Sequence, residues 1–151
     1  MAGVTFTCVT TAETALATAV PKTLIRLIPP SSHVVKIKEW GVFFDGISVT
    51  AEPVVITIAT CTTAITGSYT AHTAVKRSGP PIVAQTLCQT MNANTSEPAI
   101  TGVIVMREVH PQSGYQEKFS FGDEICCTGA VFIQVTAPAT VSAISELVFE
   151  E

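Results

Sequence analysis

Residues 102–149 read GVIVMREVHPQSGYQEKFSFGDEICCTGAVFIQVTAPATVSAISELVF, and the pattern of this stretch decides the fold class. Val103, Val105, Arg107 and Val109 alternate with Ile104, Met106 and Glu108, the period-two signature of a strand. The turn His110-Pro111-Gln112-Ser113-Gly114 follows, then a short strand over Tyr115 to Phe121, reversed by Gly122-Asp123. Glu124 to Cys127 is a further extended piece, closed by Gly129. Val131, Ile133 and Val135 alternate with Phe132, Gln134 and Thr136, and the corner Ala137-Pro138-Ala139 leads into Val141 to Phe149. Alternation broken by Gly and Pro at this spacing predicts an antiparallel sandwich or barrel.

The same reading extends towards the start of the chain. Thr23 to Ile28 is apolar on both sides, with Leu24, Arg26 and Ile28 opposed to Ile25 and Leu27, so each side needs a cover. Pro29-Pro30 ends it, because proline cannot feed a central ladder. His33 to Asp45 is the next strand, with a bulge expected at Trp40-Gly41 and a turn at Asp45-Gly46. Val54 to Cys61 and Ile82 to Met91 follow as strands, the first clean. Thr62 to Pro81, with Tyr69 and His72 inside it, is the expected partner-contacting loop. The Thr- and Ala-rich residues 1–19 are expected to be an extended arm that orders against a neighbour, with a short strand near Val4 to Val9 as the other outcome. The expectation is therefore an all-β chain: an antiparallel, jelly-roll-like sandwich of about eight strands over residues 20–151, with residues 1–19 as the arm.

Composition narrows the function. The chain of 151 residues is 47% hydrophobic and only 13% charged, against a usual charged share of about a quarter. No apolar run approaches the roughly 18 residues of a membrane helix. The excess is spread over short Val-, Ile- and Thr-rich runs, and a solitary sandwich with so few charges is expected to leave part of it uncovered. That argument predicts an obligate oligomer; a monodisperse, highly soluble monomer with Leu24, Ile25 and Leu27 all inside one subunit would remove it. The net charge of −4 argues against nucleic acid or an anionic membrane as partner, and Lys76-Arg77 is an isolated basic pair.

Residues with chemical potential do not cluster. His33, His72 and His110 are isolated, and no His-x-His or Cys-x-x-Cys occurs, so no metal is expected. Cys126 and Cys127 are adjacent and would face opposite sides of a strand. With five cysteines and no visible secretory leader, the thiols are expected to be reduced and Asn94-Thr95-Ser96 to carry no glycan. Glu13, Glu39 and Glu52 are scattered carboxylates, and no glycine-rich phosphate loop or Gly-x-Ser-x-Gly is present. No catalytic, cofactor-binding or metal-binding residue is expected, and no enzyme. Trp40, the single tryptophan, is expected to be a packing anchor, with a sugar-stacking platform as the sharper reading.

Three pieces carry a resemblance. They are Glu39-Trp40-Gly41-Val42-Phe43-Phe44-Asp45-Gly46; Ser96-Glu97-Pro98 ahead of Gly102-Val103-Ile104; and His110 to Gly114 through Gly122-Asp123-Glu124 and Thr136-Ala137-Pro138-Ala139 to the closing Leu147-Val148-Phe149-Glu150-Glu151. Over residues 20–151 the chain resembles a family of small β-rich proteins of tailed bacteriophages, similar in kind to capsid decoration, or cement, proteins. The resemblance implies a homotrimer seated on the major capsid protein lattice, on the exterior of a virion assembled in the host cytoplasm. It supplies no catalytic residue. The competing expectation is a trimeric receptor- or glycan-binding module using the loops near Tyr69 and Trp40.

Overall fold

The computed structural model describes residues 3–45, 52–62, 69–90 and 96–151. Among them it forms thirteen strands and no helix: β1 (Thr5–Val9), β2 (Thr14–Leu16), β3 (Pro21–Ile28), β4 (Val35–Phe44), β5 (Val54–Cys61), β6 (Thr70–His72), β7 (Val75–Ser78), β8 (Leu87–Thr90), β9 (Ile100–Val109), β10 (Tyr115–Lys118), β11 (Ile125–Cys127), β12 (Val131–Thr136) and β13 (Val141–Glu150). They build two antiparallel sheets. One runs β10-β4-β13-β1-β7, with β11 also on β4 and β2 also on β13; the other runs β6-β8-β3-β12-β5-β9.

Eight of these strands explain the architecture. In β1, β3, β4, β5, β9, β10, β12 and β13, first pairs with last and so inwards: β1 with β13, β3 with β12, β4 with β10, β5 with β9. The contacts β13 to β4 and β12 to β5 then close each sheet. A long antiparallel hairpin rolled on itself gives this order, the jelly-roll arrangement. The expected count of about eight falls short because five short strands, of three or four residues each, are added to that frame.

The core lies between the sheets, built by alternate residues of both inner faces. Phe6 and Cys8 of β1, Leu147 and Phe149 of β13, and Ile37, Trp40 and Val42 of β4 meet Ile25 and Leu27 of β3, Ile56 and Ile58 of β5, and Ile133 and Val135 of β12. The Phe6 and Phe149 rings stack with centroids 5.6 Å apart. Each such side chain contributes about 1.5–3 kcal/mol when fully withdrawn from water.

Three expectations are corrected. Of the two outcomes for the start of the chain the short strand holds and the arm does not: residues 5–9 form a full strand between β13 and β7, and residues 14–16 pair with β13 as well. The physical reason is the alternation: Phe6 and Cys8 are buried while Thr5 and Thr7 face the other way. Second, Leu24, Ile25 and Leu27 are all buried within one chain, at 1%, 0% and 0% exposure, so β3 supplies no uncovered surface for a second subunit. A bulge against β12 between Ile133 and Gln134 turns Leu24 as well as Ile25 into the core. Third, the bulge in β4 falls at Lys38, where the register with β13 slips, and not at Trp40-Gly41. It sets Val35 and Ile37 on the same face as Trp40 and Val42. The expected Asp45-Gly46 turn extends beyond the described residues, as do Thr63 to Ser68 of the expected loop and Met91 at the end of the expected strand.

Candidate interaction surface

The expected chemical residues stay apart. His33 sits at a turn, with Nδ1 3.1 Å from the Ser32 hydroxyl; the His110 Nδ1 accepts from the Gln112 N–H at 3.3 Å, and His72 belongs to β6. Among the described residues no group of three or more His, Cys, Asp or Glu is placed to share a metal. Cys8, Cys61, Cys88 and Cys127 are buried free thiols, and Cys126 is exposed. Contact with the Cys8 thiol, together with burial, pushes the Cys88 thiol up; burial, with Cys126 beside it, pushes Cys127 up to about 11. Thiols so placed are poor nucleophiles at neutral pH. Trp40 is fully buried and packs against Tyr115, so it is the packing anchor and offers no platform to a sugar. Tyr69 is 47% exposed.

The outer face of the six-stranded sheet is covered as well, with a small apolar cluster of Ala59, Cys61, Ala130 and Phe132 beside polar side chains. Arg26 is 1% exposed; it donates to the Gln89 side chain at 3.4 Å and to the Thr62 carbonyl, and no carboxylate among the described residues pairs with it. Its Nε has no hydrogen-bond partner among the described residues. The Glu97 carboxylate accepts from the Thr23 N–H and hydroxyl and from the Gln134 amide, pinning the segment before β9 over this sheet. A depression of about 240 Å³ lined by His72, Ala84, Thr86 and Leu87 is smaller than the roughly 300–1,000 Å³ of ordinary ligand pockets.

What remains open is the lateral rim. β9 is an edge strand of ten residues, and Ile100, Val103, Ile104 and Met106 on it are 40–56% exposed. It lies beside β10, the edge of the other sheet: Arg107 donates to the Tyr115 hydroxyl at 3.3 Å and to Glu117 at 3.3 Å. Between β10 and β11 the turn Ser120-Phe121-Gly122-Asp123 closes with a 3.0 Å bond from the Asp123 N–H to the Ser120 carbonyl. Gly122 has φ +96°, a conformation that disfavours other residues, and its N–H is taken by the Glu124 carboxylate at 2.7 Å. At the tip, Phe121 is 93% exposed. Folding alone gains nothing from an aromatic ring left in water.

The opposite rim consists of β6, β7 and β8, inserted between β5 and β9. Tyr69, Val75, Ile82, Val83 and Leu87 are exposed there. The β9 rim was not evident in the residues, whereas the expected contact loop Thr62 to Pro81 contains Tyr69, β6 and β7 of the other rim. The run Gly102 to Val109 reads as a strand, and only the sheet order shows that no strand among the described residues lies beyond it. The turn signal Phe121-Gly122-Asp123, an aromatic inside a reversal, was the one local clue. Compared with family models, curated proteins and solved structures, the chain finds no match.

Proposed function

We propose that this protein is a non-enzymatic structural protein of a virion, a decoration protein that binds the major capsid protein lattice on the capsid exterior and stabilises the shell. The observation that carries the reading is the β9 rim, with Ile100, Val103, Ile104, Met106 and Phe121 held in water on a rigid sandwich. Apolar groups left in water side by side along an edge, here as on the β6–β8 rim, are the mark of a docking surface. The resemblance of residues 20–151 to tailed-phage cement proteins supplies the partner. A homotrimer seated on a three-fold position multiplies weak contacts, so a small module can hold a shell together.

The experiment is addition of the purified protein to capsid shells that lack it. The protein co-sediments with the shells in saturable amounts and raises their dissociation temperature. Shells that neither retain it nor gain heat resistance overturn the reading.

A further inference from the structure

The outer face of the six-stranded sheet brings together three side chains whose chemistry the fold does not require. Thr23 of β3 and Gln134 of β12 are directly opposed in the middle pair of strands of that sheet. Directly opposed residues on one face of an antiparallel pair hold their Cβ atoms about 4.5–5.5 Å apart. Ile133 and Val135 face the core, so Gln134 faces outwards, and there it shares one partner atom with Thr23, the Oε2 of Glu97. The Thr23 hydroxyl donates to that oxygen, and the Gln134 Nε2 donates to it at 3.3 Å. The Thr23 N–H donates to it as well, at 2.7 Å, which holds the carboxylate against β3. Thr23 is 0% exposed and Gln134 8%, so water has little access to either. A nucleophile, a base bonded to it and an acyl group across the ladder are thus assembled at one place.

We propose that the chain cross-links itself here: the Thr23 hydroxyl displaces ammonia from the Gln134 carboxamide and leaves an ester between β3 and β12. Glu97 takes the hydroxyl proton as Thr23 Oγ1 bonds to Gln134 Cδ, giving a tetrahedral carbon. The same carboxyl then delivers that proton to Nε2, the Cδ–Nε2 bond breaks, and ammonia leaves. One hydroxyl and one carboxamide become one ester and one ammonia, and no oxidant, cofactor or water is consumed. Such a transfer needs one group in reach of both the atom that loses the proton and the atom that gains it, and Glu97 Oε2 contacts both. An amide is a poor acyl donor to an alcohol in free solution. Holding the two groups in place supplies an effective concentration that reaches about 10⁵–10⁸ M in well-oriented cases. Escape of ammonia into solvent draws the step forward, and the closed surroundings keep water from the ester. The product is a covalent tie between the two central strands of the sheet. It goes beyond the decoration reading and needs neither a shell nor a second subunit.

The test is the intact mass of the purified, folded chain by electrospray ionisation, followed by peptide mapping. The wild type is lighter than its sequence by one ammonia, about 17 Da, and yields a branched peptide that joins the Thr23 and Gln134 segments and that hydroxylamine separates. Thr23→Ser keeps a hydroxyl and shows the same loss. Thr23→Val lacks the nucleophile and Glu97→Gln lacks the base, and both retain the full mass. Folded wild-type chain that keeps its full mass after prolonged incubation overturns the inference, whatever the stability of the variants. So does an ammonia loss that persists in Thr23→Val or maps to an asparagine, because another amide is then its source. Neither outcome bears on shell binding, which is measured separately.

Discussion

The rings of Trp40 and Tyr115 lie with centroids 5.2 Å apart and planes 38° from parallel, tying β4 to the short edge strand β10 beneath the β9 rim. Tyr115 in turn accepts from Arg107, so one aromatic pair connects the core to the exposed edge. Trp40→Ala empties the largest fully buried side chain and is expected to cost about 3–5 kcal/mol in urea denaturation. Trp40→Phe is expected to cost less than half as much, because it also removes an indole N–H that has no hydrogen-bond partner among the described residues. The native tryptophan emission is that of a ring shielded from acrylamide, with or without added saccharide.

Arg26 gives a second prediction of unusual sign. A buried cation without a carboxylate forfeits hydration that two hydrogen bonds only partly restore. Arg26→Met keeps the stem and drops the charge, so it is expected to leave the urea midpoint unchanged or raise it. A loss comparable to that of Trp40→Ala would show that the guanidinium is fully compensated.

Glu151 closes the rim carrying β8. Its carboxylate accepts from the N–H groups of Gln85 and Thr86 and from the Thr86 hydroxyl, while its backbone exchanges bonds of 3.1 and 3.2 Å with Val4. Glu151→Ala leaves those donors unmet and is expected to cost about 1.5–3 kcal/mol. Amide exchange should quicken at Gln85 and Thr86 before it does so in β12.

The pH response comes from Lys38 and Glu124. The Glu124 carboxyl lies below its ordinary 4.5, held there first by its own backbone N–H and that of Gly122 and then by Lys38. The Glu150 carboxylate, 2.6 Å away, raises Lys38 above its ordinary 10.5. A lowered carboxyl stabilises the fold above its unfolded value and loses that contribution as pH falls through the folded one. A raised amine stabilises below its unfolded value and loses that contribution as pH climbs through the folded one. Stability is thus expected to be flat from about pH 5 to 10 for this pair and to fall on both sides. Glu124→Gln removes the acid-side fall contributed by this group, and carbon-detected titration of its carboxyl gives a midpoint under 4.5.

Thiol labelling checks the burial pattern directly. Cys126 is expected to react with an aromatic disulfide reagent in the native protein, and Cys8, Cys61, Cys88 and Cys127 only on unfolding. Two or more native thiols reacting at similar rates would contradict the sandwich as described.

The order of strands along the chain was largely legible where the residue pattern repeats at every second place. β4, β5, β12 and β13 show that period, and their positions agree with the residues to within a few places, although β12 is buried on both faces. β6 and β7 were not legible, because they are largely exposed on both sides and carry no apolar period. β1 was half legible: Thr5 and Thr7 blur an alternation that Phe6 and Cys8 keep. The apolar surplus was visible in the composition, but its location was not. Leu24 to Leu27 looked like the uncovered surface and is core, whereas Val103, Ile104 and Met106, read only as strand, are exposed on the rim. Strand patterns record how many sides of a residue are dry, and sheet order alone tells whether the chain itself or another molecule keeps them so.

β13 lies at the centre of its sheet, bonded to β4 along one side and to β1 and β2 along the other. During synthesis the ribosome delivers those partners long before residues 141–150. A nascent chain halted short of Val141 holds two greasy ladders with no strand between them. The half-made protein is then the stickiest species in its history, and its safety depends on how quickly translation supplies the missing plank.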